Sequence, residues 1–250
     1  MPTHALAHRL FPSAEAASEA LAAEFADLIR SRAAENRSAV FGLATGSTPL
    51  RLYAELIHLH RAQGLSFTNV VTYNLDEYLG LPRGHPESYW QFMHFNLFDH
   101  IDMRPENIHL PDGSTAEEDL ASYCEAYEQS IREAGGIDLQ ILGIGHNGHI
   151  GFNEPGSQSD LRTHVAELSE MTIRNAAQSF GGAEHVPGRA LTMGVRTILD
   201  ARRIVLLAFG ESKAEIVRRA LTEEISPDLP ATYVGAHPDA SFYLDQAAAP

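Results

Sequence analysis

The segment Gly143-Ile144-Gly145-His146-Asn147-Gly148-His149-Ile150-Gly151-Phe152-Asn153-Glu154-Pro155 holds the densest chemistry in the chain. An imidazole moves protons near neutral pH, and a carboxylate beside it can orient the ring. The glycines let the backbone turn where other residues resist. A metal site competes with this reading, since His146, His149 and Glu154 are all ligand types. However, the helical zinc signature sets its histidines four apart, and these stand three apart with Gly148 between them. No metal is therefore expected. The plainest reading is a glycine-rich turn with hydrogen-bonded polar side chains.

Two further groups of residues suit a site that handles an anion and a proton. In Asn74-Leu75-Asp76-Glu77-Tyr78 the carboxylates are adjacent, and adjacent side chains of an extended segment face opposite ways. One of them can act as a general base if burial raises its pKa, while the other pairs elsewhere. Thr45-Gly46-Ser47-Thr48-Pro49 offers small residues, hydroxyls and the free N–H groups of a helix start, which together can bind phosphate. Ordinary N-capping by Ser47 or Thr48 accounts for the same residues equally well. The segment matches neither the P-loop nor the G-x-G-x-x-G pattern. Arg174 and Lys213 are the cations that draw notice, and Lys213 lies near a helix start, where a bound anion would offset the unfavourable dipole.

These loops need strands and helices to carry them. Ser13 caps a predicted helix to about Asn36, with Ala17, Leu21, Phe25 and Leu28 on one face. Val40–Ala44, Val70–Asn74, Leu139–Ile144 and Ile204–Phe209 read as buried strands, with Ser241–Leu244 as a last one. Helices are predicted after Pro49 (Leu52, Leu56 and Leu59 inward), over Tyr89–Phe98, over Leu120–Ile131 and over Ser212–Leu221. The alternation predicts a single α/β domain over residues 1–250, a mainly parallel sheet with helices on both faces. Ligands of such sheets bind beyond the carboxyl ends of the strands. Gly46–Thr48, Asp76 and Glu77, Gly145–Glu154 and Gly210–Lys213 all follow strand ends. The tail Ala247–Ala249 is expected to fray.

Composition narrows the partners. The net charge of −15 argues against nucleic acid, whose phosphates demand a basic footprint. A small phosphorylated ligand remains compatible, because one or two cations plus backbone N–H groups suffice to hold it. No apolar run approaches the roughly 18 residues of a membrane span. Glu15, Glu19 and Glu24 interrupt any secretory pattern, and the single cysteine, Cys124, fits a reducing compartment. A cytoplasmic protein without membrane partners is expected.

Gly42–Pro49, Asn74–Tyr78, His85-Pro86-Glu87-Ser88-Tyr89, Gly145–Pro155 and Gly210–Ala214 resemble, in order and spacing, the glucosamine-6-phosphate deaminase family from about Phe11 to Leu244. The resemblance implies a Rossmann-like fold and conversion of glucosamine 6-phosphate and water to fructose 6-phosphate and ammonia, without metal or cofactor. It implies that Asp76 shuttles a proton between C2 and C1, that His149 opens the sugar ring, and that Asn147 and Glu154 support His149. Some members carry aspartate where Asn147 stands, so Glu154 is left as the charged partner of the ring. Thr45, Gly46, Ser47, Thr48, Arg174 and Lys213 match phosphate-binding positions, and the segment 161–187 is a candidate lid. Activated members carry two basic residues at the positions of His164 and Ala166, and a longer C-terminus. Weak or absent activation by N-acetylglucosamine 6-phosphate follows. Related enzymes range from monomers to hexamers, so a homo-oligomer is compatible. The alternatives on the same fold are a galactosamine-6-phosphate deaminase, a 6-phosphogluconolactonase and a non-catalytic sugar-phosphate sensor; the last lacks any helix-turn-helix segment before residue 40.

Overall fold

The computed structural model describes residues 7–250. Its ten strands are β1 (Ala7–Phe11), β2 (Ala39–Leu43), β3 (Val70–Asn74), β4 (Asp76–Tyr78), β5 (Ile108–His109), β6 (Leu139–Leu142), β7 (His164–Glu167), β8 (Arg189–Thr192), β9 (Arg203–Ala208) and β10 (Ala240–Asp245). The α-helices are α1 (Ala14–Ala34), α2 (Leu50–Gln63), α3 (Tyr89–Asn96), α4 (Leu120–Glu133), α5 (Glu170–Phe180), α6 (Val195–Leu199) and α7 (Ala214–Thr222).

Seven strands form one sheet in the order β1-β10-β9-β6-β2-β3-β5, and its recorded pairings are all parallel. β2 and β3 are fully buried, as strands covered on both faces must be. On one face Phe25 of α1 stacks on Phe41 of β2 with ring centroids 4.2 Å apart. On the other, the Tyr73 hydroxyl donates to Ser130 O of α4 at 2.8 Å. Chain order reverses between β2 and β6, which opens a crevice at their carboxyl ends.

The expected helices after Ser13 and Pro49 form. Ser13 accepts from Ala16 N, and Leu52, Leu56 and Leu59 are buried. The helix at Tyr89 stops at Asn96 and hands over to a 3-10 turn at Phe98–His100. The strand at Leu139 stops at Leu142, so Gly143 and Ile144 already belong to the loop. The helix expected from Ser212 begins instead as a 3-10 turn, Glu211–Lys213, ahead of α7. The tail does not fray as expected. Ala248 is fully buried, and its N–H bonds Asp245, so the chain end is tied to β10.

A second sheet, antiparallel and in the order β4-β8-β7, was not anticipated. It has its own small core of Tyr78, Phe152, Ala166, Leu168, Val186 and Ala190, with Ile173, Ala176 and Phe180 of α5 packed against it. Glu128 of α4 ties this sheet to the main body. Its buried carboxylate accepts from Thr163 N at 2.9 Å, from the hydroxyls of Thr163 and Thr197, and from Arg162 at 3.0 Å. Burial pulls the Glu128 carboxyl upward, but those bonds outweigh it and hold the carboxyl below its usual range.

Glu128→Ala should therefore cost about 3 kcal/mol of stability at pH 7, read from urea denaturation. A carboxyl held low in the folded state contributes above its unfolded pKa and loses that contribution as pH falls through the folded one. The gap between variant and parent should accordingly narrow below pH 4.

Candidate active site

The crevice beyond β2, β3, β6 and β9 encloses about 300 Å³. Thr45–Thr48 and Asp76 line it on one side, Gly143–His146, His149 and Gly151 on another, and Lys213 and the first turns of α5 close it. It therefore gathers Asp76, His149, Thr45, Gly46, Ser47, Thr48 and Lys213. Asn147 and Glu154 stand behind His149 and reach it by contact. Larger hollows lie elsewhere, one of about 720 Å³ between α4 and β7 and one of about 630 Å³ between α3 and α5.

Asp76 reaches the crevice because the chain changes sheets at Leu75. Leu75 N bonds Leu43 O at 2.9 Å in the main sheet, and Met193 N bonds Leu75 O at 2.7 Å in the small one. The next residue, Asp76, opens β4 with its carboxylate buried. No hydrogen bond to that carboxylate is present among the described residues. Burial, and after it the charge of Glu77, pushes Asp76 up to about 8. Glu77 faces the other way, as alternation along the strand requires. Its carboxylate accepts from Tyr78 N, Tyr89 N and Trp90 N at 2.9, 3.1 and 3.0 Å and so caps α3. Burial outweighs these bonds, and Glu77 rises to about 7.

The loop after β6 folds back on itself through Gly145 N to His149 O and Gly148 N to Gly145 O, both 3.0 Å. Two glycines in it are required. A Cβ on Gly145 would stand 2.4 to 2.6 Å from the His149 ring, and Gly148 has φ +86 with Leu229 Cδ1 in the space a side chain would take. The ring thus packs directly against the Gly145 backbone. Asn147 Oδ1 accepts from His149 N at 3.2 Å, while Asn147 Nδ2 donates to Glu154 Oε2 at 2.6 Å. The same Oε2 stands 3.6 Å from His149 Nδ1, longer than a hydrogen bond, and Nδ1 is buried without a partner. Glu154 Oε1 accepts from Ser169 N at 3.2 Å and from the Thr172 hydroxyl. Burial pulls Glu154 up, but the approach of His149 and the bonds from Thr172 and Asn147 bring it down to about 2.

Ser47 and Thr48 do not cap α2: no side chain bonds its first turn, whereas Ser13, Ser88 and Ser169 cap α1, α3 and α5. The first N–H groups of α2 carry no side-chain cap, and Gly46–Thr48 just ahead of them line the crevice, a setting an anion can use. Lys213 reaches across and donates from Nζ to Ile144 O at 2.7 Å. Burial lowers its pKa. Arg174 is not brought into the crevice. Its side chain is 67% exposed and pairs with Glu170 at 3.5 Å on the outer face of α5. His146 lines the rim, and no three His, Cys, Asp or Glu side chains among the described residues are grouped to hold a metal ion. Sequence reasoning missed Ser169 and Thr172, which bind Glu154, and Asn175, which lines the wall. A serine three residues ahead of Thr172 was the available signal, an N-cap pattern inside the segment expected to be a lid.

Comparison with known proteins bears on this arrangement. Residues 12–243 match the family model described as glucosamine-6-phosphate isomerases/6-phosphogluconolactonase. Over 231 residues the chain is 46% identical to a glucosamine-6-phosphate deaminase of Thermoanaerobacter pseudethanolicus, spanning 92% of this chain and 90% of that one. Over 240 residues it is 50% identical to one of Rhodopirellula baltica, spanning 96% and 93%. A solved monomeric glucosamine-6-phosphate deaminase, 44% identical, superposes with a TM-score of 0.92 over 97% of this chain and 98% of its own. The 6-phosphogluconolactonase of Thermotoga maritima, 22% identical with a TM-score of 0.74 over 96% and 99%, shares the fold alone. With the family model spanning nearly the whole chain and relatives near half identity along it, the chain belongs to the glucosamine-6-phosphate isomerase/6-phosphogluconolactonase family.

Proposed function

We propose that this protein is a glucosamine-6-phosphate deaminase, turning glucosamine 6-phosphate and water into fructose 6-phosphate and ammonia. The observation that carries the reading is a buried, unpartnered carboxylate, Asp76, in one crevice with a histidine backed by Glu154. Relatives bearing that name at 46 and 50% identity support it. His149 takes the proton of the anomeric hydroxyl and returns one to the ring oxygen, which breaks the ring C–O bond and leaves an aldehyde. The C2 proton, now beside a carbonyl, passes to Asp76 while a proton of the substrate ammonium moves to the carbonyl oxygen, and an enolamine forms. Asp76 returns the proton to C1, giving an imine at C2. Water adds there, the C–N bond breaks, and ammonia leaves the ketose. A base at about 8 suits this task, because the ammonium of the arriving substrate favours its ionised form.

The phosphate rests on the open amides of α2, the hydroxyls of Ser47 and Thr48, and Lys213. Arg174 adds nothing while it faces solvent. The segment 161–187 covers the crevice during the reaction, a reading supported by Thr172, Asn175 and Ala176 at its wall. Residues 1–250 act as a single domain in the cytoplasm, where a phosphorylated sugar is retained by its charge. The chain works as a monomer, as its 44% identical structural relative does. Sedimentation should return one species near 27.3 kDa.

Ammonia release decides the function. Glucosamine 6-phosphate should yield it, and Asp76→Asn should lower kcat by about 1000-fold. Ammonia from galactosamine 6-phosphate alone, or hydrolysis of 6-phosphogluconolactone instead, would assign a different reaction. A second measurement tests the state of Asp76 without substrate. Its carboxyl titrates near 3.8 when unfolded and about 8 when folded, so between these values the native state binds the extra proton and stability falls as pH rises. Asp76→Asn removes that loss. Its melting temperature should exceed the parent's by a margin that widens from pH 4 to pH 8.

A further inference from the structure

Among the described residues, His149 Nδ1 is buried and left without a partner. A buried imidazole N–H ordinarily finds an acceptor. The nearest carboxylate oxygen, Glu154 Oε2, is 3.6 Å away, and a movement of about half an ångström would bring it into hydrogen-bond range. What fixes Glu154 at that distance is visible in its bonds. Oε2 is already engaged by Asn147 Nδ2 but retains a second lone pair. Oε1 is held by two donors that both belong to the start of α5, Ser169 N and the Thr172 hydroxyl. Thr172 is itself buried, and Ser169 Oγ fixes it by accepting from Thr172 N at 3.2 Å and lying 3.1 Å from Thr172 Oγ1. The His149 ring is backed on one side by the Gly145 backbone. Adjustment therefore falls to Glu154 and to the helix that holds it.

We propose that Thr172 is a positioning residue for His149: through Glu154 it aims the carboxylate at Nδ1, so that Nδ1 carries the proton and Nε2 faces the substrate as the base. The docking of α5 and the readiness of His149 are then one event. Small displacements of the α5 start move Oε1 and with it the Oε2 to Nδ1 distance. This inference rests on the reading that His149 opens the sugar ring. It adds the helix-borne hydroxyl that sets the tautomer on which that step depends.

The test uses the full chain with Thr172→Val, which keeps the shape and removes the hydroxyl, and Thr172→Ser, which restores it. Nitrogen chemical shifts of the labelled His149 ring, recorded without substrate, report the tautomer. The parent and Thr172→Ser should show the Nδ1–H form, and Thr172→Val a mixture of the two. In ammonia release from glucosamine 6-phosphate, Thr172→Val should lose about tenfold in kcat with KM within threefold, part of the contribution of a positioned proton-transfer group. Thr172→Ser should recover most of it. An unchanged tautomer ratio in Thr172→Val would overturn the proposal. So would a kcat loss that Thr172→Ser fails to rescue. The ring signals are read on the protein alone, so a failure to release ammonia from this sugar would count against the assigned reaction and leave the tautomer result to decide the role of Thr172.

Discussion

The two peptide hydrogen bonds of Leu75 are the constraint on which the site depends. Its N–H completes the pairing of the parallel sheet with Leu43, and its carbonyl begins the pairing of the small antiparallel sheet with Met193. A residue shared between two sheets has no freedom to slide, because a slip of one position would exchange the two faces of the strand. That exchange would bury Asp76 against the α3 start and put Glu77 in the crevice. The sheet junction therefore fixes which of two neighbouring carboxylates faces the crevice. It also explains why β4 is only three residues long, since its work is done once Asp76 and Glu77 are aimed.

The acidic side chains near the site show how partners set the same functional group to different tasks. Glu154 and Glu128 are ringed by donors from hydroxyls, amides and cations, and both are held as stable anions despite burial. They serve as anchors: Glu128 ties Arg162 and Thr163 ahead of β7, and Glu154 ties the first turn of α5 after it. Asp76 is as buried as Glu128 and has no donor, so its carboxyl is pushed up rather than held down. A stable anion makes a poor proton shuttle, and a shuttle makes a poor anchor.

Where the residues alone were legible, the reason is that single positions carried the signal. The alternation of Asp76 and Glu77, the helix face of Leu52, Leu56 and Leu59, and the glycines around His149 each encode their geometry locally. The small sheet was not legible because its strands are three or four residues long and β7 and β8 show no clean alternation. Missing it had a consequence for Arg174. The stretch around that arginine was read as a candidate lid, with no helix assigned in it to set which way the cation points. As the helix α5 starting after Ser169, it advances about 100° per residue. Thr172 and Ala176, four apart, face the crevice, and Arg174 midway between them is turned to the opposite side.

With Arg174 outside, the proposed phosphate site illustrates how an acidic protein can hold a dianion. The formal charge of −15 is a sum over the surface, and a bound phosphate responds to what lies within a few ångströms. There the donors are backbone amides, which carry no net charge and cannot be neutralised by the carboxylates elsewhere on the chain. Leaving α2 uncapped where three other helices take serine caps keeps those amides available. Lys213 then has a task that needs one cation only, and its bond to Ile144 O ties that cation to the same loop that carries His149. On the proposed reading, anion binding and proton transfer share a single backbone segment, so the groups that grip the phosphate would also register the sugar against His149.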